Sequence, residues 1–184
     1  MAVLLGFAPL IVFYVFVQIS VNLALWLAFA TAFTLGIRDF IETGTPRVLD
    51  AAFATCLGLL AVYNGFIEPG MTISWVGLML KLSLLGVVLW SLAQREPFTL
   101  PYLRTEVFAA QWDTPAFLRV NYILAWVWTG ALAIMAGADA VTIFFHTISA
   151  FWLAVAGLVA FLTALIFTWQ FGVYISRRLG QAPR

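Results

Sequence analysis

Charged side chains are the scarcest feature of this sequence. Only 9% of its 184 residues are Asp, Glu, Lys or Arg, and 64% are hydrophobic. Soluble globular domains carry about 25% charged residues, which they need to cover their surface. The shortage therefore excludes a soluble enzyme and a disordered regulator. The formal net charge is only +1, so the chain lacks the basic face of a nucleic-acid-binding protein, and we expect no nucleic-acid partner.

Cysteine and histidine are almost absent, which limits the available chemistry. Cys56 is the single cysteine and His146 the single histidine. A zinc site usually takes three or four protein ligands, and the sequence has no nucleophile motif, Gly-rich phosphate loop or usefully spaced carboxylate pair. We therefore predict no catalytic residues, no metal site, no cofactor and a chain that is not an enzyme. His146 could relay protons with Asp139, although an interfacial histidine is the simpler interpretation.

Long uncharged segments dominate the chain instead. A helix needs about 20 apolar residues to cross about 30 Å of hydrocarbon. The run Val3–Ile37 is too long for one crossing and has a polar point around Gln18 and Asn22, which favours two short helices. We predict an all-α transmembrane bundle in one domain, 1–184, with about six spans and five as the alternative. The six spans cover residues 3–18, 21–37, 51–67, 71–93, 119–138 and 148–176, with an interfacial loop at 94–118.

The arginines predict an orientation. With six spans, every arginine falls on one side of the membrane, and the opposite loops contain neither Lys nor Arg. Cytoplasmic loops carry the excess of Lys and Arg, so we predict that both termini are cytoplasmic. The acidic residues interleaved with the arginines, such as Asp39 and Asp50, are expected to be solvated.

Lys81, the only lysine, lies near the centre of the predicted fourth span. An ionised side chain at mid-membrane costs about 2.5–3.5 kcal/mol on insertion scales, which makes it a functional candidate by default. No carboxylate lies inside a predicted span to pair with it. One hypothesis is a polar midplane site formed by Lys81 with Asn22, Asn64 and Asn121. The alternative is a structural lysine, bound to helix carbonyls or placed at a lipid or subunit boundary.

The loop at 94–118 is the most distinctive segment. Three prolines interrupt any long helix there, and its aromatic residues suit the headgroup level of a membrane. Its arginines could hold anionic lipid headgroups. We predict a contact surface for lipid or a partner protein, with a plain connector as the alternative. Its residues are Arg95, Phe98, Tyr102, Arg104 and Trp112.

Small residues at a spacing of four predict close helix packing, because helix association in lipid depends on close backbone approach. The clearest series is Ala24, Ala28 and Ala32. Further pairs are Ala54 with Gly58, Ala133 with Gly137, Ala150 with Ala154, and Ala156 with Ala160.

Several segments resemble the intracellular septation protein A family of bacterial inner-membrane proteins. They are Phe7–Tyr14, Glu96–Tyr102, Phe117–Trp128 and the closing Tyr174–Arg178. The resemblance implies a multi-pass protein of the bacterial inner membrane, linked to envelope synthesis and division through protein contacts. It implies no catalytic residues, and Lys81 has no place in the family pattern.

Two functions follow from these observations. The first is a non-enzymatic membrane protein that acts in or alongside a cell-envelope complex through helix and loop contacts, with membrane lipids and other membrane proteins as partners. The alternative is a small transporter or substrate-binding membrane subunit that uses the polar site at Lys81. The sequence makes no prediction of oligomeric state.

Overall fold

The computed structural model describes residues 6–44, 47–104, 112, 114–145 and 149–179, with the backbone alone for residues 43 and 172–179. This part of the chain is helical and contains no strand. Its helices are α1 (Ala8–Phe16), α2 (Val21–Thr43), α3 (Val48–Val62), a π-helical turn (Tyr63–Ile67), α4 (Ile73–Ala93), α5 (Leu100–Arg104), α6 (Pro115–Phe144) and α7 (Ala150–Leu179).

Five helices are long and apolar enough to cross a membrane, which indicates a multi-pass membrane protein. They cover Val21–Glu42, Val48–Ile67, Ile73–Ala93, Pro115–Phe144 and Ala150–Phe171. Helix α1 has 9 residues, which rise about 14 Å, or roughly half of the hydrocarbon thickness. A sixth full span is therefore not confirmed, although the chain does divide near Ser20, as its polar point predicts.

Helix α1 packs one face into the bundle. Phe7, Leu10 and Phe13 are fully buried, and their spacing of three places them on one face of the helix. The Phe7 ring stacks on Trp128 with 3.6 Å between ring centroids. Before α1, a Cβ added to Gly6 would lie 3.1 Å from the Tyr102 ring. The start of α1 is therefore held between α5 and α6.

The alanine series on α2 packs as expected. Ala24, Ala28 and Ala32 are all buried, and α2 packs against α1 and α3. On α3, a Cβ added to Gly58 would come within 2.9 Å of the Phe29 ring. Small side chains thus allow the close approach of backbone and ring that holds helices together in lipid.

Helix α6 is longer than the sequence pattern predicts. It begins after Thr114, whose hydroxyl accepts a hydrogen bond from the Phe117 amide at 3.4 Å, and continues to Phe144. We expected the span to end at residue 138, before a charged residue. The helix instead continues because an uncharged, largely apolar segment follows Asp139, and this continuation places the carboxylate inside the bundle.

Helix α7 packs mainly on α6 and is otherwise open. Only 6% of its most apolar stretch is buried. The Trp128 indole Nε1 donates a hydrogen bond to Thr168 Oγ1 at 3.1 Å, which links the two helices. The small residues Ala150, Ala154 and Ala156 are exposed, as are Ala133 and Gly137 on α6, so the prediction that these residues pack within the bundle is wrong.

Candidate functional site

Lys81 binds a carboxylate in the bundle interior. Its Nζ donates a hydrogen bond to Asp139 Oδ2, and the two side chains are 6% and 20% exposed. The expectation that no carboxylate could pair with Lys81 within a span is therefore wrong. The ion pair carries no net charge, and the carboxylate offsets part of the desolvation cost of burying the lysine ammonium group in lipid.

Two further residues complete the surroundings of this ion pair. Lys81 Nζ lies 5.4 Å from the centroid of the Tyr14 ring, close enough for a cation–π interaction. Gly77 lies one turn before Lys81 on α4, and a Cβ there would come 2.7 Å from Asp139 Oδ2. The glycine therefore leaves the space that the carboxylate occupies. Tyr14, on the short helix α1, was not expected at this site.

The three asparagines of the predicted site lie in other parts of the fold. Asn22 is exposed beside Gly65, and Asn64 Oδ1 accepts a hydrogen bond from the Met71 amide at 3.2 Å. Asn121 lies about 27 Å from Asp139 along α6. The structure instead places Asp139 and Tyr14 beside Lys81. Asn121 is therefore too far away to belong to the predicted four-residue site at Lys81.

Asn121 instead anchors the connection between α4 and α6. Its Oδ1 accepts a hydrogen bond from Thr99 Oγ1 at 2.8 Å, and its Nδ2 donates to the Phe117 carbonyl at 2.9 Å. On the α4 side, the Phe98 amide donates to Ser91 Oγ at 3.1 Å. These bonds satisfy buried polar groups and fix the segment between the helices.

The predicted contact surface is only partly exposed. Phe98 and Tyr102 are buried in the core, so their rings cannot bind a partner without a rearrangement. Arg95 and Arg104 are exposed. The Arg104 guanidinium lies 5.3 Å from the centroid of the half-buried Trp112 ring. Of the predicted loop, residues 105–111 and 113 lie outside the described residues.

A second buried charged cluster lies where α2, α3 and α5 meet. Asp39 and Asp50 are both buried, so the expectation that they are solvated is wrong. Arg47 Nη1 lies 3.1 Å from Asp39 Oδ2, and its guanidinium lies 4.5 Å from the centroid of the Tyr102 ring. Burial, together with the nearby Asp50 carboxyl, raises the pKa of the Tyr102 hydroxyl above its ordinary value.

Charge balance within this cluster distinguishes its two carboxyl groups. Asp39, Asp50 and Arg47 lie together, and one guanidinium can neutralise only one carboxylate. Because like charges at a shared buried site disfavour each other, we expect the second carboxyl group to hold a proton. The ion pair assigns that role to Asp50, because Asp39 is the direct partner of Arg47.

We predict different effects for the two aspartates. Asp50→Asn should lower the free energy of unfolding by no more than about 1 kcal/mol, because an amide resembles a protonated carboxyl group in shape and hydrogen bonding. Asp39→Asn should lower it by about 1–3 kcal/mol, because Arg47 loses its charged hydrogen-bond partner. Unfolding of both purified variants in detergent micelles measures the difference. Equal losses would contradict the assignment.

Metal ligands do not cluster in the described part of the chain, where no group of three or more His, Cys, Asp or Glu residues is placed to hold an ion. His146, considered for a proton relay with Asp139, lies outside the described residues. Cys56 is a free, half-buried thiol on α3.

No family model, curated protein or solved structure matches this chain. The resemblance to the intracellular septation protein A family therefore stays a prediction from the quoted segments.

Proposed function

We propose that this chain is a non-enzymatic protein of the bacterial inner membrane that acts in or alongside a cell-envelope or division complex. In this proposal it binds other membrane proteins through its outward helix faces. The observation that carries the proposal is a row of small residues on α6. Gly130, Ala133 and Gly137 are all exposed, and their spacing of three and four places them on one face.

No other helix in the described part of the chain packs on Gly130 and Gly137 in this row. Among the described residues, nothing lies within 4 Å of a Cβ added at Gly130 or Gly137. In lipid, small residues promote helix association because they let backbones approach closely. The buried series on α2 already serves this purpose inside the bundle. The row on α6 therefore suits a helix from another protein.

The setting in a cell-envelope complex rests on two sequence features. The resemblance to the intracellular septation protein A family supports a bacterial inner-membrane location. The distribution of arginine supports cytoplasmic termini, because Arg38, Arg47, Arg95 and Arg104 fall in the predicted cytoplasmic loops. The exposed arginines of the α4–α6 connection add a surface that can contact lipid headgroups at that face.

A leucine at position 137 tests the proposed interface. Gly137→Leu should weaken association in the membrane by about 5–10-fold, because the side chain separates the two backbones. Cross-linking through a cysteine at Ile134, in a Cys56→Ala background, measures the association in native membranes. The matched control is Gly86→Leu on α4, since Gly86 is also exposed and nothing described lies within 4 Å of a Cβ added there. Equal cross-linking in both variants would contradict the interface.

The Lys81–Asp139 ion pair favours a second candidate function, a small transporter. Intramembrane ionisable groups commonly form substrate or proton pathways. A groove between α3 and α4 is lined by residues such as Leu59 and Met79 but not by Lys81, so a transporter would require a separate accessible polar cavity at the ion pair. Proton flux into dye-loaded proteoliposomes distinguishes the two functions. A transporter should lose this flux in a Lys81→Met/Asp139→Leu double variant, whereas a binding protein should show none in either form.

A further inference from the structure

A groove of about 880 Å³ opens between α3 and α4, at the end of the bundle opposite the arginine-rich connections. Its walls are apolar and include Leu59, Val62 and Ile67 on one side and Met79 on the other. These side chains are exposed in the chain alone. Its volume lies in the range of about 300–1,000 Å³ that is typical of sites for small ligands.

The length of the groove suits one membrane leaflet. From Glu68, at the turn between the helices, to Leu59 on α3 the helical rise is about 14 Å. Half of the hydrocarbon thickness is about 15 Å. An acyl chain that lies against the apolar walls would therefore place its headgroup at the turn, beside Glu68.

The mouth of the groove is acidic and aromatic. Among the described residues that line it, Glu68 is the one with a charge, and Glu68 Oε2 accepts a hydrogen bond from the Tyr63 hydroxyl at 2.8 Å. The π-helical turn places Tyr63 there, and such turns are frequent at functional sites. Trp75 also lines the groove. Neither Lys nor Arg occurs between residues 48 and 94 except Lys81, whose side chain is bound to Asp139.

The negative charge of Glu68 favours one class of lipid headgroup at the mouth of the groove. An anionic headgroup would meet the Glu68 carboxylate without a compensating cation among the lining residues. An ammonium group can instead form a charge-assisted hydrogen bond with the carboxylate and lie against the aromatic rings. We propose that the groove binds a phospholipid with a primary-ammonium headgroup, with its acyl chain along the apolar walls and its ammonium group at Glu68. This proposal is independent of the row of small residues on α6.

Lipid titration of the full-length protein in detergent tests the proposal. The probes are phosphatidylethanolamine, phosphatidylcholine and phosphatidylglycerol with identical acyl chains, and native mass spectrometry measures their binding. We expect phosphatidylethanolamine to bind about 10-fold more tightly than phosphatidylglycerol. Phosphatidylcholine should bind more weakly than phosphatidylethanolamine, because its quaternary group donates no N–H hydrogen bond.

Variants locate the binding at this groove. Glu68→Gln should abolish the preference for phosphatidylethanolamine, and Met79→Trp should reduce binding of all three lipids because the larger side chain fills the groove. The matched control is Glu96→Gln, an exposed carboxylate at the opposite end of the bundle, which should keep the preference. Equal binding of the three lipids, or a preference that persists in Glu68→Gln, would overturn the proposal. Thermal unfolding without added lipid confirms that each variant is folded.

Discussion

Lys81→Met alone is expected to lower the free energy of unfolding by about 3–5 kcal/mol, because it leaves the Asp139 carboxylate buried without its cation. Asp139→Leu alone should cost a similar amount, because it leaves the lysine unpaired. The double variant Lys81→Met/Asp139→Leu should recover most of this loss. Apolar side chains of similar size can replace a buried ion pair at little cost, since neither charge then has to be desolvated.

Unfolding of the three variants in detergent micelles with increasing denaturant measures this coupling. A double-mutant cycle isolates the interaction between Lys81 and Asp139, because it compares the double variant with the sum of the two single variants. The two residues are 58 positions apart in the chain and meet only in the folded bundle. Additive losses in the double variant would contradict a direct ion pair. A stable double variant is also the form that the proteoliposome experiment requires, because its loss of activity cannot then be attributed to unfolding.

Trp128→Ala is expected to lower the free energy of unfolding by about 3–5 kcal/mol. Trp128 is fully buried, and its ring stacks on Phe7 and makes an edge contact with Phe161 at 5.9 Å between centroids. Its indole also donates the hydrogen bond to Thr168. The substitution therefore removes the ring that packs against both α1 and α7.

The same α6 helix offers a matched control for this substitution. Trp126 lies close by in the sequence but is 59% exposed, so Trp126→Ala should change the free energy of unfolding by no more than about 0.5 kcal/mol. Thr168→Val should cost about 1 kcal/mol, because it removes the hydrogen bond and leaves the ring stacking. Similar losses for Trp126→Ala and Trp128→Ala would show that Trp128 does not anchor α1 and α7.

Local sequence patterns were sufficient to predict that the chain is helical and that its long helices are apolar enough to cross a membrane. The long uncharged runs match the five candidate spans, because hydropathy and length are properties of each segment alone. The alanine series on α2 also predicted its buried face, since residues four apart lie on one side of a helix. The equivalent prediction failed for Ala154 on α7, because α7 lies at the edge of the bundle and has few neighbours to pack against.

The charged sites depended on contacts that no local pattern contains. A signal for Asp139 did exist, because the sequence after it remains uncharged and largely apolar as far as Phe145. This apolar segment could have been used to extend the predicted span past Asp139, which would then have been a possible partner for Lys81. Tyr14 had no such signal. The burial of Phe98 and Tyr102 also had none, because a proline-rich segment with aromatic residues suits a membrane surface as well as a protein interior.

The sequence alone therefore determined that this is a helical membrane protein with few charged residues. It also determined which segments are long enough to span. Only the tertiary structure decided that Lys81 binds Asp139 and that Asp39 and Asp50 are buried with Arg47. It also decided that the row Gly130, Ala133 and Gly137 on α6 remains open. The physical reason is that hydropathy acts along each segment, whereas charge pairing and burial depend on which helices become neighbours.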